Sequence, residues 1–526
     1  MKNKLRKLNY ILIGAIIIFQ PFIVMFQAMI VRDVQLFGLS VFEFFNIITM
    51  MVSFGITVYL YEDKRKFLKF VPYILILGVY MILHGLHIYQ FDNEVYPLQT
   101  PNFFVESYYI FRTFIVPLLL IFNIYYSEIK KEHLIKLLEI LIFIVVIVIV
   151  VTNLFNVALQ NYSDENVYNA FNLWDWFNFE NTSRYSYYQL TSKGWFLSGN
   201  QMSAILFMSF PVILYRTYMQ RDKFHYLLVV LQMLAMFMLG TKTANVGCIL
   251  ICIMFVGLWI FFKILKHNEK GIGVLLLITL VFAGLIQFSP VGYMMKYENG
   301  VESSSTGSST SMLDSAVEVE DKEGSSFDYE KLRNDSKILK KLDPDKLSED
   351  EKIFVKEYME EFCSFFGISP YIIEHYNDLE HSVFWTRYIQ EIPNNDYRVL
   401  KTMILEDIYH NNNNSLDKYL GMGYTLNYIY TEADYTYQLY NYGLVGILVL
   451  VGPYFFGLLY VIYQGVRNFK KMFKLECAMY FVAPLLGLCV AKMSGHVLER
   501  TFPLLVLAVL ICIILMHTRE CVGKTV

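Results

Sequence analysis

Apolar runs of about 17–25 residues recur along this chain, the length needed to cross ~30 Å of hydrocarbon as a helix. They fall near residues 9–31, 36–60, 70–91, 105–126, 134–155, 195–215, 224–240, 243–262, 272–290, 439–463, 473–491 and 499–517. The expected fold is an all-α polytopic membrane protein with about twelve transmembrane helices. Composition agrees, because 56% of the 526 residues are hydrophobic, against ~45–50% in soluble domains. The N-terminus, MKNKLRKLNYILIGAIIIF, resembles a secretory leader, but its apolar stretch continues through Ile30 without a small-residue cleavage site. It reads as a retained span.

The charges between the runs set the expected orientation. YEDKRKFLK, SEIKKEHLIK, RTYMQRDK, FKILKHNEK, QGVRNFKKMFK and the tail HTRECVGK are rich in Lys and Arg. The alternate short connections, such as FDNEVYPLQTPN, carry few or none. Cytoplasmic segments hold the excess of Lys and Arg, so both termini are expected in the cytoplasm of a multi-pass cell-membrane protein. Residues 1–290 then form a bundle of about nine spans with an external segment at 156–194,. Residues 291–433 form a large helical extracytoplasmic loop before the last three spans, and 434–526 hold those spans and a cytoplasmic tail.

That loop carries about 27 Asp and Glu against about 14 Lys and Arg, an acidic balance that does not suit nucleic acid. ESSSTGSSTS at 302–311 reads as a flexible linker,. DYEKLRNDSKILKKL and SEDEKIFVKEYMEEFCSFFG read as helices, the second opened by a Ser348-x-x-Glu351 capping box,. The aromatic stretch NLWDWFNFENTSRYSYYQL suits an interface or a sugar surface. No Walker motif or Gly-rich dinucleotide loop is present, so a nucleotide-driven reaction is unsupported. Cys248 and Cys252 lie one helical turn apart with no His beside them, and no metal site or disulfide framework is expected.

Several polar residues gather at the outer ends of the runs. Lys242, in LGTKTAN, lies in a tight turn between two spans, as a snorkelling anchor or as a cation in a polar pocket. Arg112 lies about two turns inside the fourth span, where it needs a carboxylate or an anionic ligand. AKMSGHVLERTFP brings Lys492, His496, Glu499 and Arg500 into one short turn, a weak anion-site signal. Asn200 opens the sixth span with Ser198 and Gly199, as a helix cap or as part of an anion site. Arg398 leads an amphipathic helix, YRVLKTMILEDIY, that runs to Gly421 and Gly423. Such an arginine is either a solvated helix residue or a fork for a phosphate pair. Glu432 and Asp434 stand just before the apolar run that contains Gly443-Leu444-Val445-Gly446. Acids there either favour the helix start or do chemistry.

Four stretches together resemble the O-antigen polymerase and O-antigen ligase family of bacterial surface-polysaccharide enzymes. They are GWFLSGNQMSA, LGTKTANVGCIL, RVLKTMILEDI with LGMGY, and TEADYTYQLYNYGLVGIL, and they span roughly 195–515. The resemblance implies an extracytoplasmic glycosyltransferase that uses polyprenyl-diphosphate-linked oligosaccharides as donor and acceptor, with no cofactor, metal or nucleotide. It implies inversion at the anomeric carbon, and other polysaccharide-assembly membrane proteins as further partners. The ligases carry a His eleven positions before the first Gly of Gly-x-x-Gly, and Glu432 stands there in this chain. Lys242 replaces the family's arginine in the small turn, which keeps the charge and loses the bidentate fork. Carried over, the roles are Glu432 and Asp434 as catalytic carboxylates and Lys242, Arg398, Arg112 and Arg500 as diphosphate-binding cations. Asn200, His496 and Glu499 are support for glycan or structure. Arg387 competes with Arg398 for the diphosphate. The missing His leans toward a polymerase of repeat units over a ligase. A lipid-linked glycan flippase is a further alternative, disfavoured by the lack of an internal repeat.

Overall fold

The computed structural model describes residues 1–29, 35–36, 39–91, 101–127, 129–159, 172–177, 190–265, 269–296, 312–318, 328–392, 397–423, 431–493 and 495–523. Among the described residues, ten helices are long and apolar enough to cross a membrane. In chain order they begin with α1 (Lys2–Ala28), α2 (Val41–Leu60), α3 (Lys64–Gln90), α4 (Phe103–Tyr126) and α5 (Lys131–Leu154). After α6 (Gly199–Gln220) comes a shorter apolar helix, α7 (Lys223–Met238), and then α8 (Lys242–Ile264). The next run is broken: α9 (Gly273–Phe288) and α10 (Pro290–Lys296) meet at 50°, where Pro290 cannot continue the hydrogen-bond ladder.

The loop domain follows, with α11 (Met312–Glu318), α12 (Tyr329–Leu339), α13 (Glu349–Phe362), α14 (Pro370–His375), α15 (Ser382–Glu391), α16 (Tyr397–Asn412) and α17 (Asp417–Leu420). The last spans are α18 (Asp434–Arg467), α19 (Leu475–Met493) and α20 (Thr501–Val522). Each of the twelve expected runs is thus helical. The seventh falls short of a full crossing at 16 residues, and the ninth is bent. One two-residue β-pairing, Gln35–Leu36 against Leu39–Ser40, joins α1 to α2.

Burial ranks the spans. The most apolar windows of α6 and α20 are 89% and 83% buried, whereas those of α2 and α3 are 17% and 11% buried. The first pair forms the axis of the bundle, with α19 packed against both. The second pair shows its apolar side chains outward, as lipid-facing helices do.

Three breaks in the spans release backbone carbonyls, and three tyrosines take them up. Pro453 has no N–H for the carbonyl four residues back, and Tyr73 Oη donates to Val449 O at 3.0 Å,. Gly443 leaves the helical path at φ 65 and ψ −178, and Tyr80 Oη donates to Tyr442 O at 3.0 Å. A wide π-turn over Phe111–Ile115 precedes Pro117, and Tyr454 Oη donates to Phe114 O at 3.2 Å. In hydrocarbon no water would replace these bonds, so irregular backbone persists only where protein satisfies it.

The loop domain has its own core, built from Leu332, Val355, Phe362, Trp385, Tyr388 and Ile404 among others. The expected helices at 329–339 and 349–362 form. The Ser348 capping box is complete, with Ser348 N–H donating to Glu351 and Glu351 N–H to Ser348 Oγ. Tyr437 of α18 packs into this core, which ties the domain to the bundle. The 302–311 linker and most of the 156–194 segment lie outside the described residues.

Candidate active site

The turn between α19 and α20 is held from below by one carboxylate. Asp434, fully buried at the first position of α18, accepts the backbone N–H groups of His496, Val497 and Leu498 at 2.8, 2.8 and 2.7 Å. Gly495 and His496 both adopt positive φ, at 64 and 65. A non-glycine residue in that region is held only when its surroundings insist, and three charge-assisted hydrogen bonds supply that constraint. Both Asp434 oxygens thus accept backbone N–H groups. These bonds give Asp434 a part in shaping the turn that carries His496 and Glu499.

Above this turn the charges converge on Glu499. Its Oε1 accepts from His496 Nδ1 at 2.9 Å and from Arg500 Nε at 3.0 Å. Glu499 is 4% exposed at its side chain, whereas Arg500 is 46% exposed, so the pair joins a buried carboxylate to a half-exposed guanidinium. Lys401 reaches the same place from α16. Burial holds its ammonium below the ordinary lysine range, and the fields of Glu432 and Glu499 oppose that fall. Glu432, half-buried, completes the group two residues before Asp434. Five expected site residues, Glu432, Asp434, His496, Glu499 and Arg500, therefore share one location.

The other expected residues are placed differently. Arg112 Nη1 pairs with Glu43 Oε1 at 2.9 Å, and its guanidinium lies over the Tyr108 and Tyr109 rings. This partner is a carboxylate of α2, one of the two alternatives that its place inside a span left open. Lys242 is exposed at the first position of α8, behind the Thr241 cap. Ser198, not Asn200, caps α6, its hydroxyl accepting from Gln201 N. Asn200 is half-buried at the second helical position. The Arg398 side chain lies outside the described residues, and Arg387 pairs with Asp345 on the loop domain.

Two groups were missed. Lys401 stands three residues after Arg398, and one-turn spacing on an amphipathic helix was the available signal. His84 and His87 in α3 were passed over although ionisable residues inside a span are expensive and mark function by default. Among the described residues, no group of His, Cys, Asp and Glu is arranged to hold a metal ion.

A bundle of apolar helices with a charged cluster beside its last spans defines an all-α polytopic membrane protein. The chain matches the family model described as "O-antigen ligase like membrane protein" over residues 2–520, and it belongs to that family. It is accordingly a membrane enzyme acting on lipid-linked glycans. No curated protein and no solved structure matches it.

Proposed function

We propose that this protein is a polymerase that joins polyprenyl-diphosphate-linked oligosaccharide repeat units into a surface polysaccharide on the extracytoplasmic face of the cell membrane. The observation that carries the reading is the cluster itself: Lys401 and Arg500 set against Glu432 and Glu499 at the mouth of the last spans. A diphosphate needs cations there, and an acceptor hydroxyl needs a base.

In the proposed step, the Glu432 carboxylate takes the proton of the acceptor hydroxyl. The hydroxyl oxygen attacks C1 of the donor sugar from the side opposite the diphosphate. The C1–O bond to the diphosphate breaks and its electron pair leaves on the phosphate oxygen. Lys401, Arg500 and Arg398 stabilise that developing charge. Attack from the opposite side inverts C1. His496 and Asp434 act through position, by fixing the turn that carries Glu499 and Arg500. Lys242 is a further cation for the donor end.

The family description favours a second reading, transfer of the finished glycan to a different acceptor. Purified protein incubated with lipid-linked repeat unit alone separates the two. A ladder of lengthening products supports polymerisation. No ladder, with transfer appearing only after a second acceptor is added, supports ligation. Full activity of Glu432→Gln would remove the proposed base from either reaction.

A further inference from the structure

A cavity of about 590 Å³ opens between the start of α1, the end of α2, the start of α3, the end of α4 and the start of α5. Its volume falls in the range of ligand sites, about 300–1,000 Å³. The cavity lies at the opposite end of the spans from Glu499. Glu499 stands just before α20, whereas Arg519, near the far end of α20, lies over the ring of Tyr125 beside the cavity. Nothing in the proposed reaction uses this place.

The floor is polar although it lies inside spans. Asn9 and Thr57, 3% and 1% exposed, line it. Asn9 Nδ2 donates to Thr57 Oγ1 at 2.9 Å, and Ser53 Oγ donates to Asn9 Oδ1 at 2.7 Å. From α4, Asn123 Nδ2 donates to Ser53 Oγ at 3.2 Å, so α1, α2 and α4 are tied together beneath the cavity. The walls carry Tyr10, Tyr61 and Tyr126, the last two edge to face at 5.1 Å. Arg6 of α1, His133 of α5 and Lys66 of α3 supply N–H donors. Glu62 and Asp63 supply carboxylates. Glu62 lies 3.5 Å from Lys2 and Asp63 lies 3.9 Å from Lys66, long and solvent-exposed pairs that cost little to open,.

We propose that this cavity binds the headgroup of a zwitterionic phospholipid, with its phosphate on Arg6, His133 and the tyrosine hydroxyls and its ammonium on Glu62 and Asp63. A phosphate draws charge-assisted hydrogen bonds from the guanidinium and the imidazole. An ammonium draws on the two carboxylates and on the tyrosine faces. An anion alone would have no use for the carboxylates. The flanking surface favours a lipid over a free phosphate ion. Leu8 and Ile11 beside Arg6 and Tyr10, and Leu68 beside Lys66, are exposed, and in a bilayer such side chains meet acyl chains. Tyrosines and basic residues are also the side chains that stand at headgroup level. The lipid occupies the leaflet away from the loop domain, and its binding needs no assumption about the reaction.

Native mass spectrometry of the full-length protein, stripped of lipid in detergent, can count the lipids it retains. The probes are a phosphoethanolamine lipid, a phosphoglycerol lipid with the same chains, and inorganic phosphate as competitor. The wild type should retain one phosphoethanolamine lipid in preference to the phosphoglycerol lipid, and inorganic phosphate should not displace it. Arg6→Gln should weaken retention by about tenfold or more, the worth of a hydrogen bond to a charged group. Lys7→Gln removes the same charge one position on, at a residue that does not line the cavity, and should bind as the wild type does. Glu62→Gln combined with Asp63→Asn should abolish the preference between the two lipids. Should Arg6→Gln fail to fold, this double variant at exposed positions still decides. Equal losses in Arg6→Gln and Lys7→Gln would reduce binding to diffuse attraction and overturn the proposal. Equal retention of both lipids by the wild type would overturn it too, and so would displacement by inorganic phosphate or a preference that survives in the double variant.

Discussion

Gly421 and Gly443 meet backbone to backbone. A Cβ on Gly421 would collide with the Asn441 carbonyl, and one on Gly443 with the Tyr419 carbonyl group. Both residues hold positive φ, at 80 and 65. The loop that descends from the helical domain and the break in α18 are therefore one joint, and each glycine makes room for the other strand of it.

Alanine at either position should weaken that joint. Positive φ combined with an extended ψ, a region open essentially to glycine, alone costs an alanine about 1–3 kcal/mol, and the backbone contact adds to it. Gly421→Ala and Gly443→Ala should each lower the Tm of the purified protein. Gly78→Ala, at an open helical position with nothing near its Cβ, should leave the Tm unchanged or raise it. A Gly443→Ala protein as stable as Gly78→Ala would show that the joint is not under this constraint.

Glu432 and Asp434 should separate cleanly in assay. Glu432→Gln keeps shape and removes the base, so activity should fall by about 10²–10⁴-fold at unchanged Tm. Glu432→His should recover part of it. Asp434→Asn exchanges an acceptor for a donor that faces backbone N–H, at about 1–3 kcal/mol per orphaned group, and should lower the Tm together with activity. Unchanged stability in Asp434→Asn would contradict its role in shaping the 496–498 turn.

Lys401 predicts a pH dependence with a definite sign. Burial lowers its ammonium, opposed by Glu432 and Glu499. Its charge is present at low pH and is lost, as pH rises, sooner than that of an ordinary lysine. The alkaline limb of the rate profile should move to higher pH in Lys401→Arg, whose guanidinium stays charged. Lys401→Ala should be nearly inactive throughout. An identical alkaline limb in the wild type and Lys401→Arg would assign that limb to another group.

The proposed orientation can be read in intact cells. A cysteine placed in the 302–311 linker should react with a membrane-impermeant maleimide without permeabilisation. Labelling that appears only after permeabilisation would put the loop domain, and the site with it, on the cytoplasmic side.

Much of the architecture was legible in the sequence because the bilayer imposes a length and a polarity on each span, and both are local properties. The twelve runs, the capping box at Ser348 and the helix led by Arg398 are all set by residues within a few turns of one another. The grouping of Glu432 with Asp434 was legible for the same reason. What tertiary structure alone decided is which distant charges meet. Asp434 looks like Glu432 in sequence, yet its carboxylate accepts backbone N–H groups 62 to 64 residues away. Arg112 was rightly read as needing an anion, but only packing of α2 against α4 selects Glu43. Lys401 gains its partners, Glu432 and Glu499, from segments separated widely along the chain. A buried charge is stable only with its counterpart in place, and a one-dimensional pattern records the need for that counterpart without recording where it comes from.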